Sequence, residues 1–415
     1  MNILSLERMR LFLEARPSDD PRIVVSGNFA TPWELLGVVT DTIERMRLFA
    51  LNPQPGWPLR EGIVTESPFM GAGGRQGGDV DYLPMRLSLV PRLFRSARPP
   101  DMVLLQTSAP VDGRVSLGVE VNILPAAIEA VRARGGLVLA QINPRMPYTY
   151  GDGEIPLADI DAAVEVDQPL PSPTLRPPSE VAEVIGDYVA SMTGDGATLQ
   201  TGIGQVPDAV LARLLERKYL GVWSEMISDG IVALERAGCL DPQRVIISTF
   251  LFGTGGLYEW AHKNPRLRMQ RTETTNDPAV IARQPSMISI NSALQVDLYA
   301  QSNASYAKGQ IYSGFGGQPD FVSGALHSPG GHAIMALPSW HAKSDSSTVV
   351  PLLSEPVCSF QHSAIVTEHG VAHIFGRSQR DQAHLIIENA ADPRARDFLR
   401  EAAHQRGIGF HDTVR

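Results

Sequence analysis

Cysteine is scarce in this chain of 415 residues, which contains only Cys239 and Cys358. Neither belongs to a CxxC pair, so the sequence excludes a disulfide framework and a cysteine-based zinc knuckle. We expect two buried or chemically inert thiols. His369 and His373 have the i, i+4 spacing that binds metal on a helix, but no HExxH motif accompanies them, and we expect no metal site.

An excess of positive charge is also missing. The chain has 36 Lys and Arg against 45 Asp and Glu, which gives a net charge of −9. This balance excludes nucleic-acid binding driven by the overall charge. An anionic small ligand would need locally placed donors, and helix N-termini and glycine-rich turns supply such donors without net charge.

Long apolar runs are absent as well. No run approaches the roughly 20 residues that cross a bilayer, and the first ten residues carry Glu7 and Arg8 without a signal-peptide pattern. We therefore expect a cytoplasmic protein with no membrane partner. Hydrophobic residues make up 43% of the chain and charged residues 20%, which is typical of a globular protein.

Short apolar runs bounded by turn residues alternate with helical patterns along the chain. In the first half, such runs predict strands at 23–26, 102–106 and 137–142, and the helical patterns lie at 32–47 and 124–134. Strands that alternate with helices predict an α/β fold.

A proline-rich segment at 167–179 cannot sustain a helix or a central strand. It predicts an inter-domain linker, and the alternative is a long surface loop within one domain. We place the two domains at 1–185 and 186–415. In the second half of the chain we predict helices at 180–192, 207–218, 230–237 and 381–406, and strands at 197–200, 244–250, 287–290, 332–337 and 364–366.

The first candidate motif is LQTGIGQVPDAV at 199–210. A strand leads through Gly202 and Gly204 into a helix that we expect to begin at Pro207, where a missing N–H costs nothing. The free N–H groups at such a helix start favour a carboxylate or a phosphate. A dinucleotide turn is one alternative, although the third glycine of GxGxxG is missing. A purely structural junction is the other.

The second motif places Glu225 in an apolar stretch with Trp223 and Met226. Burial would raise the pKa of this carboxyl and remove water from it, which strengthens a carboxylate nucleophile. The alternative is a glutamate that caps an element or forms a salt bridge at a strand end. Asp229 is expected to cap the helix that follows.

Two further stretches could line a ligand site. In SGFGGQPDF at 313–321, Gly314, Gly316 and Gly317 allow a close backbone approach, and their N–H groups could form an oxyanion nest beside Gln318. A hairpin or tight turn is the structural alternative. Gln141 and Asn143 follow a predicted strand and could bind substrate in a cleft.

The motifs LQTGIGQVPDAV, SEMISDG and GFGGQPDF occur in this order and with the spacing of one family. On these stretches, and on further ones from residue 72 to residue 376, the chain resembles the acetyl-CoA hydrolase/transferase family. That group includes 4-hydroxybutyrate coenzyme A (CoA) transferase and succinyl-CoA:acetate CoA-transferase. Gln295, Ala300 and His369 depart from the family pattern, which concerns the substrate pocket and leaves the glutamate intact.

The resemblance implies two α/β domains with open, mostly parallel sheets and the active site between them. It implies that Glu225 is the catalytic residue and that Gly316 or Gly317 lies near the bound thioester. It also implies acyl-CoA and a short-chain carboxylic acid as substrates, no tightly bound cofactor, and a homodimer. Acetate, butyrate, 4-hydroxybutyrate and succinate all remain open as the acid.

The implied reaction is ping-pong CoA transfer through a Glu225 anhydride and a Glu225–CoA thioester. An acyl-CoA hydrolase that uses the same glutamate is the nearest alternative. A non-catalytic protein that binds CoA or a nucleotide, and an NAD-linked dehydrogenase, are the alternatives from other classes.

Overall fold

The computed structural model describes residues 1–174, 176–357, 359 and 361–409. Its internal contacts divide the chain into two compact units. The first unit comprises Met1–Thr174, Glu225–Asp229 and Val245–Asn276, and the second comprises the described residues of 176–224, Gly230–Arg244 and 277–409. This division differs from a single cut after residue 185, because two later segments pack with the first unit.

The strands are short, as the length of the apolar runs predicts. Up to residue 165 they are β1 (Asn2–Ile3), β2 (Arg22–Val25), β3 (Met46–Phe49), β4 (Ile63–Ser67), β5 (Asp79–Tyr82), β6 (Met102–Thr107), β7 (Arg114–Ser116), β8 (Leu137–Ile142), β9 (Glu154–Pro156) and β10 (Ala162–Glu165). The next ones are β11 (Thr198–Thr201), β12 (Gly221–Val222), β13 (Met226–Ile227), β14 (Ile246–Ser248), β15 (Phe250–Leu251), β16 (Leu267–Met269), β17 (Met287–Asn291) and β18 (Gln295–Asp297). The last are β19 (Ser302–Asn303), β20 (Tyr306–Ala307), β21 (Gln310–Ile311), β22 (His332–Ala336), β23 (Trp340–His341), β24 (Ser346–Ser347), β25 (Val349–Val350), β26 (Ala364–Thr367) and β27 (Gly370–His373).

The helices are also short, in keeping with the many glycine and proline residues. They are α1 (Leu6–Glu14), α2 (Trp33–Thr42), α3 (Val90–Phe94), α4 (Leu124–Ala133), α5 (Glu180–Ser191), α6 (Gln205–Arg213), α7 (Asp229–Arg236), α8 (Gly255–Ala261), α9 (Thr272–Thr275), α10 (Pro278–Ile281), α11 (Gln318–His327), α12 (Gln379–Leu385) and α13 (Pro393–Gln405). A π-helical segment, Ile386–Ala390, directly follows α12. None of the helices in the described part of the chain has the length and apolar character that a membrane crossing requires.

The main sheet of the first unit has eight strands in the order β1-β10-β8-β6-β2-β3-β4-β5, and every pair is parallel. All six residues of β6 are buried, as expected for a central strand covered on both faces. On one face, residues of α1 and α2 such as Met9 and Leu35 pack into a core with Ile23 and Leu104. The predicted α/β fold is confirmed.

The second unit also contains a mainly parallel sheet. Its strands run in the order β12-β11-β17-β22-β26, all parallel, and β27 then returns antiparallel to β26. A second core lies under α12 and α13, with Leu337, Ile365, Ile386 and Leu399. Among them, only Leu399 belongs to a regular α-helix.

Several element bounds differ from the sequence-based expectation. The helix predicted at 32–47 ends at Thr42, because Met46–Phe49 forms strand β3. The helix predicted at 381–406 is interrupted by the π-helical segment, and α13 begins only at Pro393. The strand predicted at 244–250 is divided between β14 and β15.

The proline-rich segment has neither helix nor strand in its described residues, and Leu175 lies outside them. The boundary between the two units falls within it, after Thr174. At its end, Ser179 caps α5, since its Oγ accepts a hydrogen bond from the N–H of Ala182 at 3.3 Å.

Candidate active site

Glu225 lies immediately before β13, and its main chain is firmly held within the first unit. Its carbonyl oxygen accepts hydrogen bonds from the N–H of Thr249 at 2.9 Å and of Phe250 at 3.1 Å. The hydroxyls of Thr249 and Ser248 donate to the same oxygen at 2.7 and 3.3 Å. These bonds lie beside the parallel pairing of β13 with β15, so the backbone position of Glu225 is fixed.

The carboxylate of Glu225 is partly buried and contacts Asn276. Nδ2 of Asn276 donates to Oε2 of Glu225 at 2.8 Å. Asn276 is fully buried and directly follows the short helix α9, where its N–H bonds to the carbonyl of Thr272 at 2.9 Å. A neutral amide orients the carboxylate without neutralising its charge. Asn276 was not predicted as a site residue, because no motif marks the polar stretch around it.

A second carboxyl group, that of Glu120, belongs to the same unit. It is fully buried, and its two oxygens accept hydrogen bonds from Nδ2 of Asn28 and Nδ2 of Asn122, both at 2.7 Å. Burial raises its pKa to about 8, the negative charge of Glu225 adds to that shift, and the two amide donors oppose it. Glu120 stands in an apolar stretch without a recognisable motif, so the sequence did not predict it as a site residue.

The backbone of Asn28, in the strained turn after β2, orients its side chain. Its φ is 46°, in the left-handed region that asparagine tolerates better than most residues. Its Oδ1 accepts from Nδ2 of Asn52 at 2.6 Å, and its carbonyl accepts from the hydroxyl of Thr31 at 3.1 Å. The next residue, Phe29, stacks on Phe252 with a centroid distance of 4.3 Å. The side chains of Asn52, Asn28 and Glu120 thus form a hydrogen-bonded series inside the first unit.

In the second unit, the glycine turn after β11 leads into α6, as predicted. Gly202 and Gly204 precede the helix, and Gly204 has a φ of 118°. The helix begins at Gln205, two residues earlier than expected, so Pro207 lies inside its first turn. No side chain caps the N-terminus, and Ile203 to Gln205 are exposed.

The second glycine cluster also ends at a helix N-terminus. Gly314 and Gly316 have φ values of 149° and 57°, and Gly317 directly precedes α11, which begins at Gln318. All three glycines are buried. Nε2 of Gln318 donates to the carbonyl of Ser292 at 3.3 Å. The segment is therefore a tight turn into a helix of ten residues, so of the structural alternative the tight turn is present and the hairpin is not.

Polar side chains gather at the carboxyl ends of β11 and β17, which pair in the second unit. Oε1 of Gln200 accepts from the hydroxyl of Ser289 at 2.6 Å and from Nδ2 of Asn291 at 3.3 Å. Ligands of parallel α/β sheets bind beyond this edge of the strands. Gln200, Ser289 and Asn291 were not predicted as site residues, although strand-end polar residues were the available signal.

Gln141 and Asn143 have structural contacts. Oε1 of Gln141 accepts the N–H groups of Glu34 and Leu35, both at 3.1 Å, at the start of α2. Asn143 donates to the carbonyl of Gln168 at 2.8 Å. Both side chains are buried. Substrate binding by Gln141 and Asn143 stays a prediction.

His373 lies on strand β27 and His369 in the turn before it, so their spacing is not that of a helix. Within the described ranges, no group of three or more His, Cys, Asp or Glu side chains could hold a metal ion. Cys239 is a buried free thiol, as expected, and Cys358 lies outside the described residues.

Two family models match the chain. The acetyl-CoA hydrolase/transferase N-terminal domain matches residues 65–175, and the C-terminal domain of the same family matches residues 253–403.

Characterised relatives and a solved structure agree with these matches. The chain is 41% identical to 4-hydroxybutyrate coenzyme A transferase of Clostridium kluyveri, over 78% of this chain and 77% of that protein. It is 35% identical to succinyl-CoA:acetate/propanoyl-CoA:succinate CoA transferase of Fasciola hepatica, over 94% of this chain and 85% of that protein. The crystal structure of RipA from Yersinia pestis superposes with a TM-score of 0.90 at 29% identity, and 98% of each chain is covered.

Proposed function

The chain belongs to the acetyl-CoA hydrolase/transferase family, and from this premise we propose that it moves CoA from an acyl-CoA thioester to a short-chain carboxylic acid. The names of the relatives support this activity, since they transfer CoA between acids such as 4-hydroxybutyrate, succinate and acetate. Acyl-CoA is then a substrate, and the reaction uses no tightly bound cofactor.

The observation that carries the proposal is the environment of Glu225. Its backbone is fixed by donors from Ser248, Thr249 and Phe250, while its carboxylate is partly buried and accepts a bond from the neutral amide of Asn276. Such a carboxylate is oriented and partly desolvated, which are the two properties that make it a better nucleophile.

The proposed CoA transfer needs no reagent other than the acyl-CoA and the two acids. The Glu225 carboxylate attacks the thioester carbonyl, the carbon–sulfur bond breaks, and CoA leaves as the thiolate while an acyl–Glu225 anhydride forms. The thiolate then attacks the glutamyl carbonyl, which releases the first acid as a carboxylate and leaves a Glu225–CoA thioester. A second carboxylate reverses both steps, so the energy of the thioester is conserved.

The two glycine turns of the second unit are proposed to bind CoA. Helix N-termini favour anionic groups, and both turns lead directly into one. We assign Gly202 and Gly204 to this role, together with Gly314, Gly316, Gly317 and Gln318. A backbone N–H of Gly316 or Gly317 would donate to the oxyanion, and one such donor is worth roughly 3–4 kcal/mol.

The nucleophile can be tested by trapping the covalent intermediate. The protein is incubated with acetyl-CoA, treated with hydroxylamine and digested, and mass spectrometry locates the modified residue. We expect modification at Glu225, and Glu225→Gln should lose both the adduct and CoA transfer. Glu259→Gln is the matched control, because Glu259 is an exposed glutamate on α8 of the same unit. Transfer activity that survives in Glu225→Gln would overturn the assignment.

An acyl-CoA hydrolase is the second candidate, since the family includes acetyl-CoA hydrolases. The two activities differ in the acceptor. Release of acetate from acetyl-CoA should depend on an added acid such as butyrate if the chain is a transferase. A rate that does not change with butyrate would identify a hydrolase.

We also propose a cytoplasmic homodimer, as the family resemblance implies. Size-exclusion chromatography with light scattering measures the mass directly. A particle of twice the 45.0 kDa chain mass is expected, and a monomer at micromolar concentration would contradict the proposal.

A further inference from the structure

The polar cluster of Gln200, Ser289 and Asn291 in the second unit has no part in the reaction steps proposed above. In the parallel pairing of β11 with β17, Gln200 lies opposite Ser289, and Asn291 follows two residues later on the same face. Ser289 is fully buried, Gln200 is 4% exposed and Asn291 is partly exposed. Exposure thus rises toward the carboxyl end of β17, which is the end of parallel strands where ligands bind.

Two of the hydrogen bonds within this cluster are short and two are long. The hydroxyl of Ser289 donates to Oε1 of Gln200 at 2.6 Å and accepts from Nδ2 of Asn291 at 2.9 Å. Nδ2 of Asn291 reaches Oε1 of Gln200 only at 3.3 Å, and Nε2 of Gln200 reaches Oδ1 of Asn291 only at 3.5 Å. Ordinary N–H···O bonds do not exceed about 3.2 Å. Nε2 of Gln200 therefore retains capacity as a donor, and Oδ1 of Asn291 retains capacity as an acceptor.

The cluster lies between the two glycine turns that are proposed to bind CoA. Along β11, Gln200 precedes Gly202 of the first turn by two residues. On the other side, Gln318, the first residue of α11, donates from Nε2 to the carbonyl of Ser292 at 3.3 Å. Ser292 directly follows Asn291, so the cluster joins both turns within one unit.

The chemistry of the cluster differs from that of the turns. No charged residue occurs at 197–207, at 286–296 or at 311–319. The helix N-termini favour anions, whereas one donor beside one acceptor matches an uncharged amide, which offers one C=O and one N–H. A phosphate would meet the acceptor Oδ1 of Asn291 with a like partial charge. CoA combines both kinds of group, because its pantetheine arm carries amides between the thiol and the phosphates.

We propose that Gln200, Ser289 and Asn291 form the subsite for an amide of the pantetheine arm of CoA. Nε2 of Gln200 donates to the carbonyl oxygen of that amide, and Oδ1 of Asn291 accepts its N–H. Ser289 is a positioning residue, since its hydroxyl holds the side chains of the other two. This inference rests on the proposed function, in which acyl-CoA is the substrate.

The test measures binding of separate fragments of CoA to the full chain by isothermal titration calorimetry. The ligands are CoA, pantetheine and adenosine 3′,5′-bisphosphate, and the proteins are the wild type, Asn291→Ala and Gln200→Met. Each variant should weaken the binding of CoA and of pantetheine about tenfold, which corresponds to one lost hydrogen bond. The Kd of the bisphosphate, which has no amide, should stay within about twofold of the wild type.

Asn389→Ala is the matched control. Asn389 is a partly buried amide of the π-helical segment in the same unit, and its Nδ2 donates to the carbonyl of Val371 at 3.2 Å. It should bind all three ligands as the wild type does. Unchanged pantetheine binding in both cluster variants, or an equal loss for all three ligands, would mean that the cluster only ties β11 to β17 and would overturn the proposal. A wild type that fails to bind CoA would instead overturn the proposed function.

A second measurement uses only the wild type and does not depend on the folding of any variant. A pantetheine analogue in which esters replace the amides lacks the N–H groups and has weaker carbonyl acceptors. It should bind at least about tenfold more weakly than pantetheine. Equal affinity for the two compounds would overturn the amide subsite and leave the role of Glu225 unaffected.

Discussion

Two glutamates of the first unit show how strongly environment separates identical side chains. Glu225 is partly buried and accepts a hydrogen bond from Asn276. Glu120 is fully buried, and its pKa rises to about 8 although two amides donate to it. Donors favour the charged form, so the rise means that desolvation outweighs two hydrogen bonds. The two carboxyl groups thus differ in how far burial removes water from them.

The raised pKa of Glu120 has a consequence for stability. Its ordinary value is 4.5 and its folded value is about 8, so the folded state resists ionisation of this group. The contribution of the neutral form is fully present below pH 4.5 and is lost as the pH rises to 8. Relative to the wild type, Glu120→Gln should gain stability over this window, on the order of 4 kcal/mol at its upper end.

Thermal unfolding measured from pH 4.5 to 9 checks this expectation. The difference in Tm between Glu120→Gln and the wild type should increase with pH up to about 8 and then level off. Glu259→Gln, at an exposed position, should show no such trend. A Tm difference that is constant with pH would contradict a buried, protonated Glu120.

At the scale of elements, the turns that enter α6 and α11 repeat one design. In each, glycines occupy the last positions before the helix, and no side chain caps its N-terminus. The N-terminus of such a helix favours an anionic ligand. The apolar and glycine pattern predicted the turn into α6 but placed the start of that helix at Pro207, since helix ends are decided by local hydrogen bonds that the pattern does not encode. At 313–321 it gave a tight turn only as an alternative, and it did not predict α11.

Among the glycines of these two turns, Gly316 is the one at which we expect a substitution to have the largest effect. Its φ of 57° is readily adopted by glycine and costs other residues about 1–2 kcal/mol. Gly316→Ala should destabilise the protein by about that amount and raise KM for acetyl-CoA about tenfold, because the turn would shift its N–H groups.

Gly255→Ala is the matched control for that prediction. Gly255 opens α8, and nothing lies within 4 Å of an added Cβ there. Steady-state kinetics and thermal unfolding of both variants give the comparison. If Gly316→Ala binds acetyl-CoA as well as Gly255→Ala does, the turn has no part in CoA binding.

For the whole molecule, the net charge of −9 sets how a polyanion such as CoA is attracted. Long-range attraction is not available, so binding must depend on short-range donors such as helix N–H groups. Salt screens long-range forces more than buried contacts. We expect kcat/KM for acetyl-CoA to change by less than about threefold between 20 and 200 mM NaCl.

Initial rates at fixed pH and several salt concentrations test this expectation. Potassium acetate in place of sodium chloride would add an acceptor acid, so chloride is the suitable salt. A steep decline with salt would show that a cluster of Lys and Arg steers CoA into the site, contrary to the expectation from the whole-chain charge.

The sequence by itself determined the α/β class, the family and several elements, including β8 with both of its bounds. It did so because buried parallel strands appear as short apolar runs, and turns appear as glycine and proline residues between them. It also singled out Glu225, through a motif shared with the family. The sequence could not determine which side chains from distant parts of the chain pack with Glu225 in the first unit. Asn28, Glu120 and Asn276 are far apart along the chain, and only tertiary folding brings amide donors to buried carboxyl groups. Their hydrogen bonds and the desolvation of Glu120 arise from contacts across the fold, for which a linear sequence carries no periodic signal.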